Sequence, residues 1–299
     1  MSDLQVLELF AGIGGVATVV GSDRIAAAID ISNDARRVYQ ANHSSPYHAR
    51  EIDSITDSQF RQWSADLWWL SPPCQPYSRR GRGRDWLDTR TSALRRVMGA
   101  LNVCQPSHIA LENVSGFENS EAFDWLRRWL DKSGYQWQTL PLCPTAMGWP
   151  NRRPRFYLLA SKEPLLAWRP ISPVLTSWET MVESITREEN NLHLWICPAV
   201  AAKYISALDR MASGVARPTA CFAGSYGKTW LHSGSYLETH LGLRRFSPRE
   251  IARFLGFPET FVLPQLSDSA EQSDRKLWKL LGNSLSLPVI RYVLSHLVD

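Results

Sequence analysis

The chain has 299 residues, of which 44% are hydrophobic and 21% are charged, and its formal net charge is +4. This composition is ordinary for a soluble globular protein long enough to form one large and one smaller domain. Its broken apolar runs exclude a membrane span and its first residues do not resemble a secretion signal, so we expect no membrane partner. The five cysteines are scattered and form no CxxC pair, which argues against a disulfide framework or a zinc site. We therefore expect a cytoplasmic protein without a bound metal.

The first half of the chain alternates short apolar runs with helical patterns. The apolar runs predict strands over residues 6–10, 25–30, 67–70, 108–112 and 155–160. Helices are predicted over residues 91–103 and 120–133, and Gly134 caps the second one. Strands that alternate with helices are typical of an α/β fold with a doubly wound, mostly parallel sheet. Ligands of such sheets bind beyond the carboxyl ends of the strands.

The second half of the chain shows weaker patterns. Three prolines interrupt regular structure just after the last predicted strand, at positions 164, 170 and 173. We predict a first domain over residues 1–163, completed by residues 275–299, and a small domain with its hinge over residues 164–274. The small domain is short for a module that reads several base pairs in a major groove.

Two helical segments are predicted near the end of the chain. Residues 247–258 have the pattern of a capped helix, in which Ser247 is the N-cap and Glu250 completes a capping box. A polar stretch over residues 265–275 separates this helix from a closing helical segment over residues 285–297.

A glycine-rich turn, GIGG over residues 12–15, follows the first strand and lets the backbone approach a ligand. Asp30 ends the second strand, where a carboxylate can accept hydrogen bonds from ribose hydroxyls. Asp53 suits either an adenine amino group or a helix N-cap. Proteins that bind NAD, FAD or S-adenosylmethionine share this pattern, and so does a tight turn without a ligand. The full GxGxxG fingerprint is missing, which disfavours a dinucleotide.

Cys74 follows the third strand in the sequence SPPCQPYS. Pro72, Pro73 and Pro76 restrict the backbone around it, so the loop has few conformations and can hold the sulfur in one place. A nucleophilic cysteine needs such a defined setting, because its thiol is mostly protonated at neutral pH. The alternative is a structural turn with an inert, buried cysteine.

Three charged residues follow later strands. Glu112 ends the apolar run HIALE, a position that suits a hydrogen-bonding acid in a cleft better than a surface charge. Arg153 and Arg155 flank Pro154, so an extended backbone would direct both side chains to one face at a sheet edge or irregular segment. Such a pair can bind a carbonyl oxygen or a phosphate, or can lie on a solvated edge.

The ordered motifs LELFAGIGG, AAID, SPPCQPYS, LENV, NRRPRF and LLGNS extend over nearly the whole chain. In this order they resemble the cytosine C5-methyltransferase family. The resemblance implies a Rossmann-like, S-adenosylmethionine-dependent methyltransferase domain with a smaller target-recognition domain.

The resemblance also implies roles for individual residues. Cys74 would add to C6 of cytosine, and Glu112 would engage N3 and the exocyclic amine. Arg155 with Arg153 would hold the base carbonyl and support the cysteine loop. Contacts to S-adenosylmethionine are implied for Phe10, Gly12, Ile13, Gly14, Gly15, Asp30, Ile52, Asp53, Ser71, Asn283 and Ser284.

The segment CFAGSYGKTWLHSGSYL, over residues 221–237, resembles the tRNA-methylating branch of this family, the second class of DNA methyltransferase homologues. The implied substrate is a cytosine in the anticodon loop of a tRNA of the aspartate type, which is already unpaired. Ala223 stands where this branch has a threonine, and Asn151 stands where many DNA enzymes have glutamine. The residues that we expect to contact nucleic acid are Arg79, Arg80, Arg82, Arg84, Cys221 and Lys228.

Three functions therefore stay open at this point. The first is tRNA cytosine methylation, and the second is DNA cytosine methylation within a restriction-modification system. The third is a non-catalytic protein that binds nucleic acid or a cofactor. Such a protein would have no need for the thiol in the SPPCQPYS loop. No obligate protein partner is predicted for any of them.

Overall fold

The computed structural model describes residues 4–73, 91–185 and 188–297, and the chain divides into two compact units. The first unit consists of Met1–Leu142, Pro154–Pro170 and Val289–Asp299. The second unit consists of Cys143–Arg153 and Ile171–Pro288.

Seven strands of the described residues form one sheet in the first unit. They are β1 (Val6–Leu9), β2 (Ile25–Asp30), β3 (Tyr47–Ala49), β4 (Leu67–Leu70), β5 (His108–Val114), β6 (Gln136–Leu142) and β7 (Arg155–Ser161). Their order across the sheet is β3-β2-β1-β4-β5-β7-β6. The pairs from β3 to β5 are parallel, whereas β7 is antiparallel to both β5 and β6. The predicted α/β fold with a mostly parallel sheet is confirmed.

Helices of the first unit pack against this sheet. They are α1 (Gly15–Val20), α2 (Asn33–Gln40), α3 (Asp57–Gln62), α4 (Ser92–Cys104) and α5 (Glu121–Lys132). Alternate residues of β1, Leu7 and Leu9, are fully buried in one apolar cluster with Leu94 of α4 and Leu126 of α5. Burial of such leucines stabilises the sheet by roughly 2 kcal/mol for each side chain.

The second unit contains a three-stranded sheet. Four further helices follow in the chain from Pro198 onward. These elements are α6 (Pro198–Lys203), β8 (Asp209–Met211), β9 (Ser235–Thr239), β10 (Gly242–Arg245), α7 (Pro248–Leu255), α8 (Ala270–Gly282) and α9 (Leu287–Leu294). Strand β9 lies between β10, to which it is antiparallel, and β8, to which it is parallel. None of the helices in the described part of the chain is both long and apolar enough to cross a membrane.

Helix α7 begins at the predicted capping box. The Ser247 hydroxyl accepts the N–H of Glu250, and the Glu250 carboxylate accepts the N–H of Ser247 at 2.6 Å. The polar stretch predicted over residues 265–275 is only partly irregular, because α8 begins within it. Ser269 caps α8, and its apolar positions appear only later, at Leu277 and Trp278.

The second unit combines segments that are far apart in sequence, and the domain bounds predicted from the sequence stay a prediction. Residues 143–153 belong to it, since the Asn151 side chain donates to Thr219 Oγ1 at 3.0 Å and to the Ala220 carbonyl at 3.2 Å. The end of α8 belongs to it as well, because Gly282 packs closely against the backbone of Ala223 and Gly224. These contacts join segments far apart in sequence, which local composition does not reveal.

A buried ion pair connects β10 to α7. The Arg244 guanidinium donates two hydrogen bonds to the Glu250 carboxylate, at 2.7 and 2.8 Å, and the two side chains are 1% and 0% exposed. Arg244 also donates to the Glu183 carbonyl at 3.1 Å. A fully buried charge is stable only when it is paired and hydrogen-bonded, so removing one partner is strongly destabilising.

The Arg244→Met variant is expected to lose about 3–5 kcal/mol of unfolding free energy, because the Glu250 carboxylate remains buried without its cation. Arg127→Met is the matched control, because its pair with Asp124, at 2.7 Å, is exposed to solvent and should contribute far less to stability. Urea denaturation of the two variants measures both values. Equal losses would contradict the account of a buried pair.

Candidate active site

The turn after β1 has an unusual backbone that is held by an acid. Phe10 has a φ of 60°, a left-handed conformation that is rare for a bulky side chain. The N–H of Gly12 donates to Asp30 Oδ2 at 3.0 Å, and Asp30 Oδ1 accepts the N–H of Ser32 at 2.8 Å. Burial raises the pKa of the Asp30 carboxyl. Strained residues of this kind concentrate at functional sites, and here the strain lies beside a fixed carboxyl.

Two glycines of this turn are needed for different reasons. A Cβ added at Gly14 would lie 2.7 Å from the His43 ring and 2.8 Å from Tyr39, so packing requires glycine there. A Cβ added at Gly12 would meet no atom within 4 Å among the described residues. Gly12 therefore leaves open space beside the backbone, as a ligand that approaches the chain closely requires.

A buried acid lies beneath the turn and was missed by the sequence reasoning. Glu8 of β1 is 1% exposed, and its Oε1 accepts the N–H of Val16 in the first turn of α1 at 3.0 Å. Burial raises the pKa of the Glu8 carboxyl to about 8, so it carries a proton near neutral pH. It thus connects the end of the glycine-rich turn to β1.

The wild-type protein is expected to lose about 1–2 kcal/mol of unfolding free energy as the pH rises from about 6.5 to about 8. Over this range the unfolded chain has an ionised Glu8, whereas the folded chain still holds the proton. The Glu8→Gln variant has no proton to lose, so its stability should depend less on pH. Burial lowers the pKa of His43 to about 4, so its contribution to the unfolding free energy changes mainly at pH values below this range. Urea titrations at several pH values measure the unfolding free energy of both proteins. If this free energy fell with pH equally steeply in the wild type and in Glu8→Gln, the account would be contradicted.

Four more of the predicted cofactor residues belong to the first unit. Ile13 and Ile52 are buried. Asp53 lies in a short 3₁₀ turn after β3 rather than at its end, and its carboxylate accepts the Ser92 hydroxyl at 2.7 Å. Ser71 Oγ accepts the Trp69 indole N–H at 2.8 Å. Their roles in cofactor binding stay a prediction.

Ile31 was also missed by the sequence reasoning. It directly follows Asp30, and 63% of its surface is exposed. A large exposed hydrophobic residue beside a carboxylate offers both an apolar face and a hydrogen-bond acceptor, which suits a nucleoside. Exposure is the signal that identifies it, and this cannot be read from one sequence.

An ion pair lies near the carboxyl end of β5. Arg155 Nε donates to Glu112 Oε1 at 3.0 Å, and the two side chains are 15% and 10% exposed. Both residues belong to adjacent antiparallel strands, since Val114 of β5 pairs with Arg155 of β7. The carboxyl ends of parallel strands meet at one edge, so this pair lies at the same edge as the glycine-rich turn.

Asn113 anchors the chain just before the cysteine loop. Its side-chain amide donates to the Pro72 carbonyl at 3.1 Å, and its oxygen accepts the N–H of Val114. The end of β5 therefore fixes the chain shortly before Cys74. Five of the predicted site residues lie outside the described residues, namely Cys74, Arg79, Arg80, Arg82 and Arg84.

Arg153 lies in the second unit and is 3% exposed. Its guanidinium donates to the carbonyls of Phe222 at 3.3 Å and Gly282 at 3.1 Å, to the Ser284 carbonyl, and to Cys221 Sγ at 3.6 Å. Three predicted residues, Arg153, Cys221 and Ser284, are thus brought together. These contacts give Arg153 the geometry of a positioning residue, which holds two distant segments of the second unit.

Two predicted residues of the second unit lie apart from these hydrogen bonds. The Asn283 side chain lies against Gly224, where an added Cβ would be 2.6 Å from Asn283 Oδ1. Lys228 is exposed. Their contact with a ligand stays a prediction.

The family model for C-5 cytosine-specific DNA methylases matches residues 4–190 and 204–299. The chain belongs to this family. The C-5 cytosine-specific DNA methylases are cytosine C5-methyltransferases, so the function class expected from the ordered motifs is confirmed, and a non-catalytic binding protein is rejected.

The individual relatives include proteins named as tRNA methyltransferases and a protein named as a DNA methyltransferase. A protein of Schizosaccharomyces pombe named tRNA (cytosine(38)-C(5))-methyltransferase is 29% identical over 329 residues, which cover 99% of this chain and 97% of that protein. The crystal structure of the S. pombe Dnmt2 methyltransferase matches with a TM-score of 0.85 and 28% identity, covering 98% of each chain. A Dictyostelium discoideum protein named DNA (cytosine-5)-methyltransferase is 25% identical over 366 residues, covering 100% of this chain and 95% of that protein.

Proposed function

We propose that this protein transfers a methyl group from S-adenosylmethionine to C5 of a cytosine in the anticodon loop of a tRNA, through a covalent bond between Cys74 and C6. The observation that carries this proposal is the Glu112–Arg155 pair at the carboxyl edge of the sheet. It offers a carboxyl group two residues before the end of β5 and a guanidinium group on the residue that pairs with that end, next to the anchored start of the cysteine loop.

The first unit fits S-adenosylmethionine, which supplies a methyl group on a positively charged sulfur. The open space at Gly12 would receive it along the backbone. Asp30 would accept hydrogen bonds from the ribose, and the exposed Ile31 would contact the adenine ring. We assign cofactor binding and chemistry to this unit, and recognition of the nucleic acid to the second unit.

The Gly12→Ala variant is expected to bind S-adenosylmethionine more weakly and to lose only about 1 kcal/mol of stability, from its left-handed backbone. Gly14→Ala is the matched control, because its Cβ meets the His43 ring and should lower stability by about 2–4 kcal/mol. Calorimetric titration and thermal melts measure the two effects. Unchanged affinity in Gly12→Ala would contradict close approach of the cofactor to this backbone.

The reaction needs nucleophilic help from the protein, since C5 of cytosine is too weakly nucleophilic to accept a methyl group directly. The Cys74 thiolate adds to C6, and the electrons of the C5–C6 double bond become available at C5. Glu112 places a proton at N3 and accepts the exocyclic amine, while Arg155 donates to the base carbonyl. C5 would then take the methyl group as its bond to the sulfur of S-adenosylmethionine breaks, which leaves S-adenosylhomocysteine. A base removes the C5 proton, the C5–C6 double bond reforms as the bond to the Cys74 sulfur breaks, and the N3 proton returns to Glu112.

The choice of tRNA over DNA rests on relatives rather than on a contact. A relative named as a tRNA methyltransferase matches this chain over nearly its whole length at 29% identity. An anticodon loop presents an unpaired cytosine, so the base leaves its stack at a lower energetic cost than in a duplex. DNA cytosine methylation is the second candidate, because the family model and a relative at 25% identity carry that name. The proposed function places the protein with its substrate in the cytoplasm and requires no protein partner.

Incubation with labelled S-adenosylmethionine and either total tRNA or genomic DNA separates the two candidates. We expect label in tRNA, and bisulfite sequencing should place the 5-methylcytosine in the anticodon loop. Label in DNA alone would reject the proposed substrate and support the alternative.

A further inference from the structure

A cavity of about 520 Å³ lies within the second unit, and none of its lining residues is among the predicted site residues. Pockets that bind small organic ligands usually occupy about 300–1,000 Å³. Three chain segments supply the walls, from residues 145–150, 175–179 and 214–218.

Hydrogen bonds fix the three walls to one another. The N–H of Thr176 donates to the Gly148 carbonyl at 3.0 Å, which joins the first two segments. The N–H of Thr219 donates to the Pro150 carbonyl at 3.0 Å, and the Trp178 indole donates to the Val215 carbonyl at 2.8 Å. The cavity is therefore formed before any ligand binds.

The walls offer aromatic and apolar surface. Trp149 and Trp178 both line the cavity, and their indole N–H groups are already bonded to the carbonyls of Phe254 and Val215. Leu175, which is 88% exposed, adds an apolar side chain to the same lining. Trp149 is partly exposed, so its ring offers a flat apolar face on which a nucleobase can stack, whereas Trp178 is 5% exposed and serves as part of the wall.

The same lining carries two charged groups that suit the rest of a nucleotide. Glu179 accepts the Ser177 hydroxyl, which lowers the pKa of its carboxyl and keeps it ionised at neutral pH. A carboxylate accepts the amino N–H groups at the edge of a base. Arg217 pairs with Asp209 at 2.9 Å, and 40% of its side chain remains exposed for a phosphate.

We propose that the cavity binds a second unpaired base of the RNA substrate, and that it thereby selects the loop to be methylated. This inference rests on the proposed function. A hairpin loop supplies such a base without breaking a base pair, whereas duplex DNA would have to lose a second pair.

The test uses Ala216→Phe, which fills the cavity from an exposed lining position, and Ser213→Phe, which adds the same ring at an exposed neighbour outside the lining. The substrates are an anticodon stem-loop RNA and a series in which each loop position in turn is abasic. We expect Ala216→Phe to raise KM for the intact stem-loop about tenfold or more, with unchanged kcat, cofactor affinity and melting temperature. With the wild type, the RNA that is abasic at one particular loop position should raise KM by the same factor as Ala216→Phe does with the intact RNA. With Ala216→Phe, the same abasic RNA should raise KM no further. Ser213→Phe should behave as the wild type does.

Each outcome decides between the two proposals. Unchanged KM in Ala216→Phe, with an active wild type, would overturn the inference and leave the proposed function standing. Additive effects of the variant and the abasic site would also overturn it, because the filled cavity could not then be where that base binds. A wild type that transfers no methyl group to any tRNA would overturn the proposed function and this inference together.

Discussion

Replacing Glu112 with glutamine is expected to lower kcat for methyl transfer by roughly 10²–10⁴-fold, the range typical of a lost general acid. The glutamine amide can still accept the hydrogen bond that Arg155 Nε donates at 3.0 Å, so the local geometry should survive. It cannot provide a proton at N3 of the base. Charge would then accumulate on the ring after the thiolate has added to C6.

Single-turnover kinetics with saturating tRNA and cofactor measure this effect on the chemical step. Affinity for S-adenosylmethionine and the melting temperature should not change. Glu118→Gln is the matched control, because Glu118 is exposed and accepts only a local backbone N–H, that of Gly116. A Glu112→Gln variant that reacts as fast as the wild type would show that Glu112 serves only as the partner of Arg155.

Replacing Cys74 with serine should reduce methyl transfer by roughly 10⁴-fold or more, as expected when a covalent nucleophile is removed. A thiol ionises far more readily than a hydroxyl and is intrinsically more nucleophilic, so serine cannot add to C6 at neutral pH. Binding of the cofactor and of tRNA should persist, since neither requires the covalent bond.

The control for this variant is Cys197→Ser, which alters an exposed cysteine. Methylation rates of the two variants, measured with bound tRNA, separate a catalytic loss from a binding loss. Comparable activity of Cys74→Ser and the wild type would refute covalent catalysis by this thiol.

The central strands of the sheet were predictable because parallel strands are buried on both faces. The apolar runs over β2 (Ile25–Asp30) and β4 (Leu67–Leu70) are confirmed with unchanged bounds. Strand β6 was missed, since its residues are mostly half-buried and it contains Pro141, which an edge strand tolerates. Strand β7 begins at Arg155 and lies inside the sheet rather than at the edge expected for this residue, because β6 pairs along its outer side.

The chemistry of the candidate site was predictable from motifs, but its supporting contacts were not. Glu8 reads as one residue of an apolar strand, and only its burial shows that it holds the first turn of α1. Arg153 reads as the neighbour of Arg155, yet it donates to carbonyls at Phe222 and Gly282, which lie 69 and 129 residues away. Contacts over such separations depend on how the whole unit folds.

The central claim is that the Cys74 sulfur bonds to C6 of a cytosine in tRNA. An anticodon stem-loop RNA whose target cytosine carries fluorine at C5 tests it most directly, because no base can remove fluorine as a proton and the adduct persists after methyl transfer. The account predicts a covalent RNA–protein conjugate that depends on S-adenosylmethionine, and mass spectrometry should locate it on the peptide containing Cys74. Efficient methylation of the ordinary RNA without any conjugate to the fluorinated one, or a conjugate on a different cysteine, would contradict it.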